Sequence, residues 1–147
     1  MKVLAFTLLC LLVAANEAKV FGKCELARLL KKHGMDGYQG YSLGNWICMA
    51  YFESRFNTRL KGPKNSDSSH DYGIFQINSR WWCSNGQGKT NNGCKASCSK
   101  FTNDDISDDI WCAKRIVQDP NKMSAWVAWR NYCRGRDLSS WTRGCRV

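Results

Sequence analysis

Apolar residues recur at helical spacing over four stretches of the chain and lose that spacing in between. Leu26, Ala27, Leu29 and Leu30 follow Cys24, and Gly34 stands as a C-cap behind His33. This predicts a helix over 24–33 with a lysine-rich end, where a helix dipole favours cations. Leu43, Trp46, Ile47, Ala50 and Tyr51 fall at i, i+3, i+4, i+7 and i+8, and Ser42 can cap the second helix they predict. Residues 56–80 are rich in Asn, Ser, Asp and Gly, with short β-like runs such as Tyr72 to Ile77. They predict a small antiparallel hairpin region. Residues 83–99 hold three cysteines among Gly and Asn and read as a loop held by disulfides. A third helix is expected from near Asp108, carrying Ile110, Ala113 and Val117. A fourth follows Ser124 and carries Trp126, Val127, Trp129 and Arg130. Helices, a small sheet and helices again predict an α+β domain with two lobes, and a cleft between lobes is a common ligand site.

The first residues follow a different pattern. Lys2 precedes an uncharged apolar stretch, Val3 to Ala15, too short to span a bilayer comfortably, and small residues follow. This reads as a secretory signal peptide, with cuts after Ala15 or Ala18 both open. Cys10 leaves with it. Cys24, Cys48, Cys83, Cys94, Cys98, Cys112, Cys133 and Cys145 remain. An even number in an exported chain predicts four disulfides, with on the order of a hundred pairings open. A zinc site at Cys94 and Cys98 competes weakly, because no second close Cys or His pair lies nearby.

Composition narrows the partners. Hydrophobic residues make up 44%, which excludes disorder as the description of the chain. A mean hydropathy of -0.47 excludes a polytopic membrane protein. Lys and Arg number 22 against 12 Asp and Glu, a net charge of +10, so a polyanion is the expected partner. No basic helix with an aromatic stripe and no nucleic-acid motif occurs. Nucleic acid is therefore not expected, membrane contact is at most secondary, and an acidic cell-wall polymer remains.

Two carboxylates stand out by context. Glu53 sits near the end of the second predicted helix behind Ala50, Tyr51 and Phe52. A helix C-terminus and apolar surroundings both disfavour its charge. Asp71 lies in the polar hairpin among Ser68, Ser69 and His70, with Asn65 and Asn78 in the same region. Donors there are expected to keep it ionised. One protonated and one ionised carboxyl facing a groove is what glycoside hydrolysis needs. From spacing alone, two ordinary surface acids remain the blander reading.

The run Asp71-Tyr72-Gly73-Ile74-Phe75-Gln76-Ile77-Asn78-Ser79-Arg80-Trp81-Trp82-Cys83 resembles the central motif of the C-type lysozymes. Lys19-Val20-Phe21-Gly22-Lys23-Cys24-Glu25-Leu26-Ala27 resembles their mature start, and Trp126-Val127-Ala128-Trp129 and the cysteine spacing fit as well. The resemblance favours the cut after Ala18, giving a signal peptide over 1–18 and a single domain over 19–147. It implies a lysozyme-like fold, a helical lobe beside a small antiparallel sheet. It implies disulfides Cys24–Cys145, Cys48–Cys133, Cys83–Cys98 and Cys94–Cys112.

The function implied is a secreted, monomeric lysozyme. It would cleave the β-1,4 bond between N-acetylmuramic acid and N-acetylglucosamine in bacterial peptidoglycan, with no cofactor for catalysis. Glu53 would be the general acid and Asp71 the nucleophile. Asn65, Asn78, Trp81, Trp82, Asp119, Ala125 and Trp126 would bind substrate. Trp126 is expected against Glu53, and Asn65, Ser69 and Asn78 around Asp71. As neighbours on a strand, Trp81 and Trp82 would point to opposite faces, leaving at least one exposed.

The run from Lys100 to Asp109 also resembles the loop of the calcium-binding branch. Its implied ligands are the carbonyls of Lys100 and Asp105 and the side chains of Asn103, Asp108 and Asp109. Asn103 stands where that branch usually has Asp, and an acidic helix start accounts for the same residues equally well. Three departures from the family pattern leave the catalytic pair untouched. His70 replaces a small hydroxyl residue and is expected to point away from Asp71, the segment Arg59 to Asp67 has one extra residue, and the loop between Cys83 and Cys94 is one shorter. The non-enzymatic α-lactalbumin branch lacks the acidic pair and is acidic overall, unlike this chain.

Overall fold

The computed structural model describes residues 18–147. The expected signal segment lies almost wholly outside them. Among the described residues four α-helices and a two-stranded sheet appear in the expected order. Helix α1 spans Lys23–Lys32 and α2 spans Leu43–Ser54. Strands β1 (Asp71–Tyr72) and β2 (Ile77–Asn78) follow, then α3 (Ser107–Ile116) and α4 (Val127–Tyr132).

Helix α1 buries Leu26, Ala27 and Leu30 and ends as its sequence suggests. Gly34 takes φ 76°, the Met35 N–H donates to Leu30 O at 3.1 Å, and the Gly34 N–H donates to Lys31 O at 2.9 Å. These two bonds satisfy carbonyls that the helix end leaves free. Helix α2 is apolar almost all round, with Leu43, Trp46, Ile47, Cys48, Met49 and Ala50 buried. Such a helix belongs in the middle of a core. Ser42 occupies the N-cap position, but its hydroxyl makes no cap bond and instead accepts from Asn45 Nδ2. Asp36 Oδ1 takes the Leu43 N–H at 3.1 Å.

The sheet is smaller than the β-like run Tyr72 to Ile77 suggests. Asp71 pairs with Asn78 and Tyr72 with Ile77, and residues 73–76 form the turn between them. Ile74 and Phe75 are fully buried, so the turn itself plugs the core. Gly73 makes this fit, with φ +79° and an absent Cβ that would lie 1.8 Å from Phe101 O. Ser54 Oγ, at the end of α2, sits 2.7 Å from Ile74 O and ties helix to turn. A backbone bridge between Lys61 and Tyr72 extends the pairing on the far side of β1.

The fourth helix also begins later than expected. A 3₁₀ turn covers Lys122–Ala125, and Trp126 is extended (φ -95°, ψ 114°) before α4 starts. From there its Nε1 donates to Phe75 O at 2.8 Å, and its ring meets Trp46 edge-on at 6.2 Å.

The four disulfides of the structure are Cys24–Cys145, Cys48–Cys133, Cys83–Cys98 and Cys94–Cys112. Cys48–Cys133 joins α2 to the end of α4, with both residues wholly buried and 85 positions apart. Cys83–Cys98 closes a separation of only 15. Loop entropy assigns about 4–5 kcal/mol to the longer closure and about 3 kcal/mol to the shorter. Cys48→Ala with Cys133→Ala should therefore destabilise more in denaturant unfolding than Cys83→Ala with Cys98→Ala. The reverse order would contradict the central place given to α2.

Candidate active site

Glu53 is carried into a cleft of about 940 Å³ by the last turn of α2. The helix stops directly behind it without a glycine, since Arg55 and Phe56 take φ 54° and 67°. Non-glycine residues held there cost on the order of 1–3 kcal/mol each and cluster at functional sites. Burial pushes the Glu53 carboxyl up to about 8, and repulsion from Asp71 adds to the shift. Trp126 and Val127 line the same space.

Asp71 reaches the cleft from β1. Asn78 Nδ2 donates to its Oδ1 at 2.8 Å, and Asn65 Nδ2 approaches Oδ2 at 3.4 Å. Ser69 does not bond Asp71, contrary to the direct role expected of it. Its buried Oγ accepts from Asn78 Nδ2 at 2.9 Å and Asn65 Nδ2 at 3.1 Å, and it donates to Asp67 Oδ1 at 2.5 Å. A hydroxyl has one proton. Spending it on Asp67 leaves lone pairs for the amides, which orients both of them toward Asp71. The Ser69 hydroxyl and N–H in turn hold the Asp67 carboxyl below its usual range. His70 points elsewhere, its Nδ1 lying 3.0 Å from Gly62 O.

The remaining wall is aromatic and polar. Trp81 and Trp82 lie in a turn after β2, so the alternation expected of a strand does not hold, and both border the cleft. Trp81 is half exposed. Gly93 leaves room for Trp82, because a Cβ there would lie 2.7 Å from its ring. Asn65, Asn78, Asp119, Ala125 and Trp126 line the same cleft as Glu53 and Asp71. The sequence reading missed Asp67, Asn91, Arg115 and Asn121 there. Of these only Arg115 left a signal, its i,i+4 spacing to Asp119.

Away from the cleft, Asp109 is wholly buried in the first turn of α3. Among the described residues neither of its carboxylate oxygens has a hydrogen-bond partner, and burial pushes the group up to about 8.

An acid that keeps its proton at neutral pH can protonate a leaving group, and a second carboxyl braced by two amides can attack the carbon it leaves. Indole faces and amides are what sugar rings bind. The class defined is a carbohydrate-cleaving hydrolase. The family model that matches residues 19–145 is the C-type lysozyme/alpha-lactalbumin family. Lysozyme C, milk isozyme, of Canis lupus familiaris is 57% identical over 129 residues, 88% of this chain and 100% of the relative. Lysozyme C of Dromaius novaehollandiae is 56% identical over 139 residues, 94% of each chain. Crystal structures of apo-type canine milk lysozyme and of lysozyme from Equus asinus both superpose with a TM-score of 0.85. They are 57% and 53% identical, and each match covers 88% of this chain and 100% of the other. The chain belongs to the C-type lysozyme/alpha-lactalbumin family.

The raised Glu53 value has a consequence for stability. A neutral Glu53 favours the folded state most fully below its ordinary value of 4.5. That contribution is lost as pH rises to about 8, because the unfolded chain releases the proton first. Glu53→Gln cannot ionise. Its stability, followed by denaturant unfolding, should decline less than that of wild type across this window. Parallel pH curves for the two proteins would contradict the burial account.

Proposed function

We infer that the protein is a peptidoglycan-hydrolysing lysozyme, with Glu53 as its acid and Asp71 as its nucleophile. The carrying observation is the contrast between the two carboxyls in one cleft, Glu53 raised by burial and Asp71 met by amide donors. The relatives named lysozyme share more than half of their residues with this chain over nearly its whole length. The bond cleaved joins C1 of N-acetylmuramic acid to O4 of N-acetylglucosamine. The lysozyme pair is itself the type case of this chemistry, and its logic is carried over here.

Glu53 gives its proton to the glycosidic oxygen. Asp71 attacks the anomeric carbon as the bond to the leaving sugar breaks, and a glycosyl ester forms. Water then enters. Glu53, now a carboxylate, takes one of its protons while the water oxygen displaces Asp71. Configuration at C1 is retained and Glu53 is again protonated. Trp81 and Trp82 offer ring faces to the sugars, the buried Trp126 lines the cleft, Asn65 and Asn78 align the nucleophile, and Asp119 and Ala125 contribute to the walls. No metal takes part in these steps.

The chain acts as a secreted monomer cut before Lys19. The family match beginning at that residue supports the cut, and four disulfides suit an oxidising compartment.

A structural calcium ion on the 100–109 loop is a second reading, motivated by the unpartnered oxygens of buried Asp109. The donor set fits the ion in kind: carboxylates of Asp108 and Asp109, the Asn103 amide oxygen, and the carbonyls of Lys100 and Asp105. Only two of these ligands are carboxylates, and among the described residues no group of three or more acidic, His or Cys side chains is placed to hold a metal ion. Asn103 Oδ1 also accepts the Asp105 N–H at 3.0 Å. Both features favour weak binding.

Glu53→Gln should lower turnover on cell walls by at least about 100-fold while oligosaccharide affinity changes little. Substantial residual hydrolysis would remove Glu53 from its role. For calcium, the melting temperature should rise with added Ca²⁺ and return with EDTA, and Asp108→Ala should abolish the rise. Coincident melting curves with and without the ion would leave only the helix-dipole account of these acids.

A further inference from the structure

Trp82, Arg115 and Asp119 form one stretch of the cleft wall. Arg115 is the only cationic side chain among the residues lining the cleft, against the acidic Glu53, Asp67, Asp71 and Asp119. Its Nη1 donates to Asp119 Oδ1 at 2.7 Å, and its guanidinium lies 5.7 Å from the Trp82 ring centre. Both side chains of the ion pair remain more than a third exposed. The guanidinium has five N–H donors, and Asp119 is its only hydrogen-bond partner among the described residues. The other donors, on a guanidinium anchored by one bond to Asp119 beside the Trp82 ring, have no partner among the described residues.

The whole chain attracts anions, with its charge of +10. The cleft itself works the other way, because Asp67, Asp71 and Asp119, unlike the neutral Glu53, disfavour an acidic substituent on the glycan. A neutral chitin chain does not meet that repulsion. Peptidoglycan does, since muramic acid carries a lactyl carboxyl or, where that is amidated, the carboxylates of a peptide. Arg–carboxylate pairing is charge-assisted and directional. We propose that Arg115 is a specificity-determining residue that binds a carboxylate carried by the glycan and so favours peptidoglycan over neutral amino-sugar polymers. The proposal rests on the reading of the protein as a peptidoglycan hydrolase.

Three substrates of equal length separate the outcomes: a muramic-acid oligosaccharide with free lactyl carboxyls, the same chain bearing short peptides, and a chitin oligomer. The quantity read is the ratio of kcat/KM on each acid-bearing substrate to that on chitin, at one ionic strength. The corresponding ratio of Kd values is read by calorimetry. Arg115→Gln should lower these ratios by about five-fold, as expected for a partly exposed charge-assisted bond. Arg115→Lys should keep most of the preference. Arg146→Gln removes an exposed charge outside the cleft and should leave the ratios as in wild type. Whichever acid-bearing substrate loses more identifies the carboxylate bound. Equal losses on acidic and neutral substrates would overturn the proposal and leave Arg115 as a brace for Asp119. An equal fall with Arg146→Gln would overturn it in favour of the long-range field. A wild type that cleaves none of the substrates would remove the functional reading, and an unchanged Kd ratio in Arg115→Gln would separately remove this one.

Discussion

Everything at the site depends on placing a carboxyl where water solvates its charge poorly. Glu53 stands in the last turn of the one helix whose other faces are filled by Trp46, Ile47, Met49 and Ala50. Helix α2 cannot shift without opening the core or straining Cys48–Cys133. Its far end is tied through Ser54 to the buried turn carrying Ile74 and Phe75, and Trp126 donates to Phe75 O on that same turn. The packing that stabilises the fold therefore also sets the proton affinity of Glu53.

The second carboxyl is positioned by other means. Asp71 sits on a two-residue strand, too short to be rigid through its ladder alone. Asn65, Asn78, Ser69 and Asp67 supply the rest, in a chain whose direction follows from the single proton of Ser69. One carboxyl thus keeps its proton through burial, and the other is held in place by amide donors. Both carboxyls line one cleft.

The helices were legible because their apolar spacing is what packing demands, and Gly34 marked the end of α1 correctly. Ile74 and Phe75 misled because a buried turn and a buried strand call for the same apolar residues. What separates them is the close approach of Phe101 O to Gly73, a contact between segments far apart in sequence. Trp126 reads as helical by its spacing to Trp129 and Arg130, yet its bond to Phe75 O holds it extended. Glu53 and Asp71 were visible as chemistry, but their selection over other acids came from family resemblance. Ser69 was misplaced because its role is set by partners in the folded state, which composition and period do not encode, whereas Arg115 was missed although its i,i+4 spacing to Asp119 stands in the sequence.

The most direct test is the titration of the Glu53 carboxyl itself, followed by NMR of protein labelled with ¹³C at glutamate carboxyls. The packing of α2 predicts a midpoint near 8. A midpoint in the ordinary glutamate range, with the fold intact, would contradict the claim that burial at the end of this helix makes Glu53 an acid.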